Sequence, residues 1–592
     1  MKTLKLFNAV LAKDSSVRPF MSLEGFISLE GFIIEPSAMW AKDEILKYYK
    51  EEKLSGNDLN KTFHKSWEKI QSSSRFELLI EQLIHYISTY GNNFGSEAYI
   101  PNEVLEVPDV ELVFKVIKGY SKEEMTKKCL NLLKSGIALT EETVDDIISV
   151  LVDTLDYTFT GNENFKNKEV IAKIADQYGI YPKDPVEFFR YVFYKTTGET
   201  LLIKNESAIS AIERSSYNPT LDFKKFGLER LSEIFNRFKP LFLAYKNRAP
   251  KTINRISKLS KRYHKPMVTN PLNLATSSRL TKEDLHWLDN ATPFALFKAL
   301  SACYTRINNQ DTFVYRIRNG KSWATESNKS FNNPVVHENY DFIISYMKDR
   351  LNLKGKKFFI PHDVKYGIPT SEKMFVGNIP TSTKFYGEKL AVGIYWENSW
   401  GANDLDLSGL NIGGKVGWNS SYSQRGGLMF SGDIVDAPNG AVEYLYANKG
   451  LSAPTLVLNN VFRGNSVSGF KVIIGKGSDI DKKYMMDPNK LLAEMKTETV
   501  GKQTALGIMI PEVEQQSFVL LNFGSGSSSV SLNANTSKLL TKGLYQQWKN
   551  PLSLNELLVE LGATLTDYKE EEGITDLSLD TLEKDTLIKI FE

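Results

Sequence analysis

Asp404, Asp406, Asp433, Asp436 and Asn439 fall in short glycine-rich turns and strands between apolar runs. Carboxylate and amide oxygens at this density are how a chain assembles ligands for a hard cation. Calcium takes about six to eight oxygens and tolerates irregular geometry. In Asp404-Leu405-Asp406 the alternation of a strand sends both carboxylates to one face and Leu405 to the core. Two carboxylates side by side repel, and need a cation, a basic partner or water to coexist. The same residues also suit a plainer role, with Asp404 and Asp406 facing water and Asp433, Asp436 and Asn439 capping turns. Trp396, Trp400 and Trp418 accompany them, as core or rim residues or as a stacking platform for a glycan.

A second constellation is cationic. From Arg237 to Lys265 there are ten Lys or Arg and no Asp or Glu, so the formal chain charge of +2 hides a strong local field. Phe238, Phe242, Tyr245 and Tyr263 are interleaved with these cations. On a helix through this segment Arg255, Lys258 and Arg262 share a face, with Lys251 near it, which is a footprint for the phosphates of a nucleic acid. Two alternatives stand beside it: a solvated helix face, or a dock for the C-terminal segment. From Asp567 to Glu592 that segment has nine acids against three bases. A second basic turn follows at Arg316, Arg318 and Lys321.

Recognisable catalytic patterns are missing: no phosphate-binding loop, no G-x-S-x-G, no H-E-x-x-H and no paired C-x-x-C. The six histidines are scattered. Cys129 and Cys303 are too far apart in sequence and too few for a disulfide framework, and suit a reducing compartment. No apolar run approaches the ~20 residues that span a bilayer, so no membrane is expected and the default location is the cytoplasm.

These residues need elements to position them. At 592 residues the chain exceeds one hydrophobic core, and two or three domains are expected. A six-residue unit repeats in tandem, Ser22–Ile27 and Ser28–Ile33, and suits a hairpin or loop in a mixed N-terminal segment, 1–70. Helical spacing then dominates from 71 to 355. Ser74 and Glu77 form a capping box ahead of an apolar face of Phe76, Leu79, Ile80, Leu83, Ile84 and Ile87. Ser121, Thr140, Asn167 and Asp184 open further helices, and Gly136 and Gly179 close two of them. Short turns between such helices predict an array of helical hairpins; no fixed sequence period accompanies them, so an irregular helical domain is the equal alternative.

The grammar changes near residue 385. Twenty of the 38 glycines fall between Gly387 and Gly526, and they separate short runs rich in β-formers. Strands are predicted at Leu390–Trp396, Thr455–Leu458, Phe470–Ile474, Ala505–Ile510 and Ser517–Phe523, making 356–535 an antiparallel β-sandwich. The last stretch, 536–592, reads as a short helical acidic tail. The fold class expected is multidomain α+β.

The run Asp404-Leu405-Asp406-Leu407-Ser408, then Gly414-Lys415-Val416, then Phe430-Ser431-Gly432-Asp433, then the strand Phe470–Ile474, resembles the tellurium-resistance TerD family over about residues 385–480. The resemblance implies a stress-response β-sandwich that binds calcium through its aspartates. The family's dense run of acids after the glycine-aspartate turn reads here as Asp433-Ile-Val-Asp436-Ala-Pro-Asn439. The function expected is a non-enzymatic, cytosolic binding or scaffold protein, with calcium in the β part and nucleic acid on the basic helical part. The alternative is a structural or assembly protein of a phage or other large particle, located in the virion and partnered by itself or by another protein.

Overall fold

The computed structural model describes residues 2–13, 32–52, 54, 56–62, 73–86, 115–263, 270–308, 312–316, 322–326, 334–412, 414–418, 427–447, 451–465, 467–477, 486–524, 542–569 and 573–591. The architecture is mixed α and β.

The helix signals act where they stand. Ser121 caps Lys122–Lys134 in a full capping box, and Thr140, Asn167 and Asp184 accept backbone N–H bonds at the starts of Glu141–Ser149, Lys168–Tyr178 and Pro185–Thr197. Gly179 and Gly198 close two helices in the left-handed conformation that glycine adopts without strain. The helices from Pro185 to Leu259 share a core of their own, rich in aromatic rings. Phe189 stacks on Phe242 at 3.9 Å and Phe188 on Phe226 at 4.0 Å.

Two sequence readings change here. The helical stretch also contains strands: Lys115–Tyr120 pairs in parallel with Ala9–Leu11 and with Phe32–Ile34, and Thr312–Arg316 pairs with Ser322–Glu326. Most of the hexapeptide repeat and the basic turn at 317–321 lie outside the described residues. The helix Arg75–Tyr86 forms, but among its described side chains Phe76 and Ile84 are exposed and Leu78 is buried. Periodicity shows which residues share a face; it does not supply a partner for that face.

All five predicted strands are present, the first with the predicted bounds and the other four a little longer than their apolar runs: Leu390–Trp396, Thr455–Gly464, Gly469–Lys476, Gln503–Pro511 and Gln516–Gly524. They belong to two antiparallel sheets. One, of seven strands, runs in the order 414–417, 402–411, 455–464, 503–511, 516–524, 384–387, 364–365. The other, of five, runs 428–430, 441–447, 390–396, 469–476, 491–498. Leu405, Leu407 and Val457 of the first sheet and Val392, Ile394 and Leu445 of the second lie in one apolar cluster. The approach is close at Gly409, where an added Cβ would meet Leu428 at 2.8 Å and Leu445 at 3.3 Å. The other face of the seven-stranded sheet is also covered: Leu410, Leu456 and Leu458 pack with Leu544 and Trp548 of the helix 542–548.

The C-terminal stretch is helical at 542–548, Leu554–Glu560 and Lys584–Lys589, but it also contributes strands and docks into the core. After the helix Leu554–Glu560, Thr564–Thr566 and Ile574–Asp576 both pair in parallel with Lys357–Phe359. Leu577, Leu582, Leu587, Ile588 and Phe591 are buried in the main core, where Phe591 meets Phe297 edge-on at 4.6 Å. Tyr366 Oη donates to the Leu577 carbonyl at 2.6 Å, and Lys128 and Lys589 pair with the buried Asp585. Apolar burial of this extent outweighs an exposed charge contact, so the tail is fixed here and not over the basic segment. Leu587→Ala is expected to cost about 2–5 kcal/mol through the cavity it leaves, measured as a lowered urea midpoint. An unchanged midpoint would show the tail to be undocked.

Candidate metal centre

The strand Ala402–Asn411 runs past the end of its neighbour: Gly414–Gly417 pairs only with residues 408–411. Residues 402–407 therefore have no ladder partner on that side among the described strands. Asp404 and Asp406 sit at this open edge. A left-handed Gly432, φ 107°, turns the chain so that Asp433 arrives beside them. One carboxylate oxygen from each of Asp404, Asp406 and Asp433 lies within 4.8 Å of the others. The three are 1%, 2% and 0% exposed, which removes the reading in which Asp404 and Asp406 face water.

Glu443 holds the arrangement. It is fully buried on Ala441–Ala447, and its two oxygens accept from different segments: Leu407 N at 2.8 Å and Ile434 N at 2.9 Å. One carboxylate thus ties the edge strand carrying Asp406 to the turn carrying Asp433, and satisfies Leu407 N on the edge strand and Ile434 N in the turn. The segment 58–62 closes in from the other side. Val442 N donates to the Lys61 carbonyl at 3.0 Å, and Tyr444 Oη to the Leu59 carbonyl at 2.8 Å.

The charges are badly matched unless something positive joins them. Burial pushes the Asp404 carboxyl up to about 8, with Asp433 adding to the rise and Arg463 opposing it. Burial likewise raises Asp406 and Glu443, and the neighbouring carboxylates raise them further. Lys415 is pushed down to about 8 by its own burial, against the pull of Asp406 and Asp433. Its Nζ sits 4.3 Å from the centre of the Trp418 ring. Among the described residues, four buried carboxylates thus face the cations of Lys415 and Arg463, a formal deficit of two charges if all four are ionised. Desolvating ions costs several kcal/mol each, roughly, even after relaxation.

A divalent cation fits the donors. Asp404 Oδ1 and Asp406 Oδ2 are buried with no hydrogen-bond partner among the described residues. Among those residues the cluster offers only carboxylate oxygen, the chemistry of calcium, magnesium and manganese rather than of zinc or copper.

The remaining residues singled out in the sequence lie elsewhere. Asp436 is exposed and accepts from Asn398 Nδ2 at 2.8 Å and Asn403 Nδ2 at 3.2 Å, bracing the turn near the cluster without joining it. Asn439 is exposed, and its carbonyl takes a bond from Lys61 Nζ at 2.7 Å. Trp396 is fully buried and donates to the Asn403 carbonyl, so it forms no platform. Lys251, Arg255, Lys258 and Arg262 are exposed on the separate helical core. Cys129 and Cys303 are buried, and burial pushes their thiols up to about 12 and about 11. Glu443 and Lys415 are the members that motif reading passed over. A single acid in the apolar run Ala441-Val-Glu443-Tyr-Leu-Tyr-Ala447 was the available signal.

No protein-family model, curated protein or solved structure matches the chain.

The raised carboxyls set a pH dependence. A carboxyl that ionises near pH 4 unfolded and about 8 folded, as Asp404 does, leaves the folded state holding more protons between those values. Stability of chelator-treated protein is therefore expected to fall as pH rises from about 4 to about 8. Thermal melts across that range check it, and a rise in melting temperature would contradict it. Glu443→Gln keeps the shape but cannot accept both N–H groups, and is expected to cost about 1–3 kcal/mol.

Proposed function

We propose that this chain is a non-enzymatic binding or scaffold protein whose C-terminal half is a TerD-like β-sandwich, closed around one calcium-class ion by Asp404, Asp406 and Asp433. The observation that carries the reading is the buried carboxylate triad, with two oxygens lacking any hydrogen-bond partner among the described residues. Support for the family comes from the order of its parts on one frame: the Asp404-Leu405-Asp406 strand, the Gly432-Asp433 turn and the strand through Phe470–Ile474. The two antiparallel sheets share an apolar layer, as a sandwich requires.

The ion's role is architectural. It neutralises the acids that Glu443 has drawn together, and so fastens the 431–440 turn of one sheet to the edge strand of the other. Binding rather than turnover follows from the same geometry: the oxygens are committed to holding a charge in a closed place, beneath turns braced by Asp436 and Lys61. No helix among the described residues is long and apolar enough to cross a membrane.

Calcium is expected to raise the melting temperature of chelator-treated protein by mass action, by about 2.7 kcal/mol at a hundredfold excess over Kd. Asp404→Asn combined with Asp406→Asn is expected to abolish that gain. It should also leave the calcium-free protein no less stable at pH 8, since the repulsion is gone. A wild-type protein indifferent to millimolar calcium would sink the reading, and a response to magnesium alone would reassign the ion.

A further inference from the structure

The helical core at 185–259 presents a surface that the metal centre does not use. The helix Pro250–Leu259 buries Thr252, Ile253 and Ile256 against the aromatic cluster and turns Lys251, Asn254, Arg255 and Lys258 outward. The turn Ser260–Tyr263 continues it with Lys261 and Arg262, both exposed. Arg237, Lys239, Lys246 and Arg248 from the preceding segments are exposed as well. None of these nine cations makes an ion pair among the described residues, although Lys5, Lys122, Lys128 and Lys173 elsewhere all do. One of the nine, Arg248, donates from Nε to the Ser215 carbonyl at 3.0 Å; at Arg237 the backbone carbonyl, not the guanidinium, accepts from Lys204 Nζ.

Part of the obvious internal counterion, the acidic C-terminal segment, is engaged elsewhere among the described residues. Among the described tail acids, Asp585 pairs with Lys128 and Lys589, Glu583 bonds Asn8, and Asp576 bonds Ser578. A membrane-surface helix would expose apolar side chains beside its lysines, whereas Ile253 and Ile256 are spent on the core.

We propose that the face formed by Lys251, Arg255, Lys258 and Arg262 binds the phosphate backbone of a nucleic acid, without reading its sequence. At 1.5 Å per residue the stripe is about 16 Å long, which matches about five phosphates of one strand at 3.4 Å each. The guanidinium groups of Arg255 and Arg262 suit phosphate forks. Tyr263, 38% exposed at the end of the stripe, offers a ring on which a base can stack. The aromatic core beneath keeps these charges on one rigid face, so little ordering is needed on binding.

The test is fluorescence anisotropy with the full chain and labelled single-stranded RNA and DNA of about 20 nucleotides, between about 50 and 200 mM salt. Binding to at least one strand is expected at the lower salt. Replacing Lys251, Arg255, Lys258 and Arg262 together by Gln is expected to flatten the log–log salt slope by about 2.8, or 0.7 for each lost contact on a single strand. These side chains are exposed and make no ion pair among the described residues, so the melting temperature should stay unchanged. The charge-conserving pair Arg255→Lys and Arg262→Lys keeps the slope. Absence of binding at low salt, or a slope unmoved in the Gln variant, overturns the proposal. So does tighter binding to polyglutamate or to anionic vesicles than to either strand.

Discussion

Three aspartates that cannot all be ionised together in a dry place are the constraint on which the β part of this molecule depends. Asp404, Asp406 and Asp433 are buried side by side, and Glu443 lies behind them. Burial removes them from bulk solvent, and among the described residues Lys415 and Arg463 offset only part of the charge. Such a cluster persists only with protons or a cation among its oxygens. Glu443 makes the cluster unavoidable, because its two backbone bonds are what bring the Asp433 turn to the Asp406 strand. The same carboxylate that closes the fold therefore creates the electrostatic problem that an ion would solve.

Around that centre the chain is fastened by long-range contacts rather than by linkers. The segment 54–62 crosses to the five-stranded sheet, with Leu54 N bonded to Glu494 and Asn60 exchanging two bonds with Met486. Glu372 is buried where Thr140, Thr143 and Lys584 converge on it, so the helical part, the β part and the C-terminal segment share one carboxylate. The helices from 185 to 259 keep a separate aromatic core. Their basic surface is carried by a unit whose core shares no residue with the carboxylate cluster.

Local chemistry was legible in the sequence, and long-range burial was not. The caps at Ser121, Thr140, Asn167 and Asp184 act within one turn of themselves, so a short window contains everything needed to read them. The five β runs likewise announce their own strands. The pairing of Ala9–Leu11 with Lys118–Tyr120 joins residues more than a hundred positions apart, and no periodicity encodes it. Alternation placed Asp404 and Asp406 on one face, but not the burial of that face: the same strand is covered at Leu410 by Leu544, from a helix far downstream. Asp436 and Asn439 were grouped with the ligands because they are near in sequence. The turn after Gly432 directs them instead to Asn398, Asn403 and Lys61.

The central claim is that the carboxylate triad is an ion site. Equilibrium dialysis of chelator-treated protein against radioactive calcium reads this directly. The account predicts about one ion per chain at pH 7.5, and progressively fewer toward pH 5 as protons compete for the same oxygens. It also predicts no bound ion when Asp404 and Asp406 are both Asn. Occupancy near zero at millimolar free calcium, or occupancy unchanged in that variant, would contradict it.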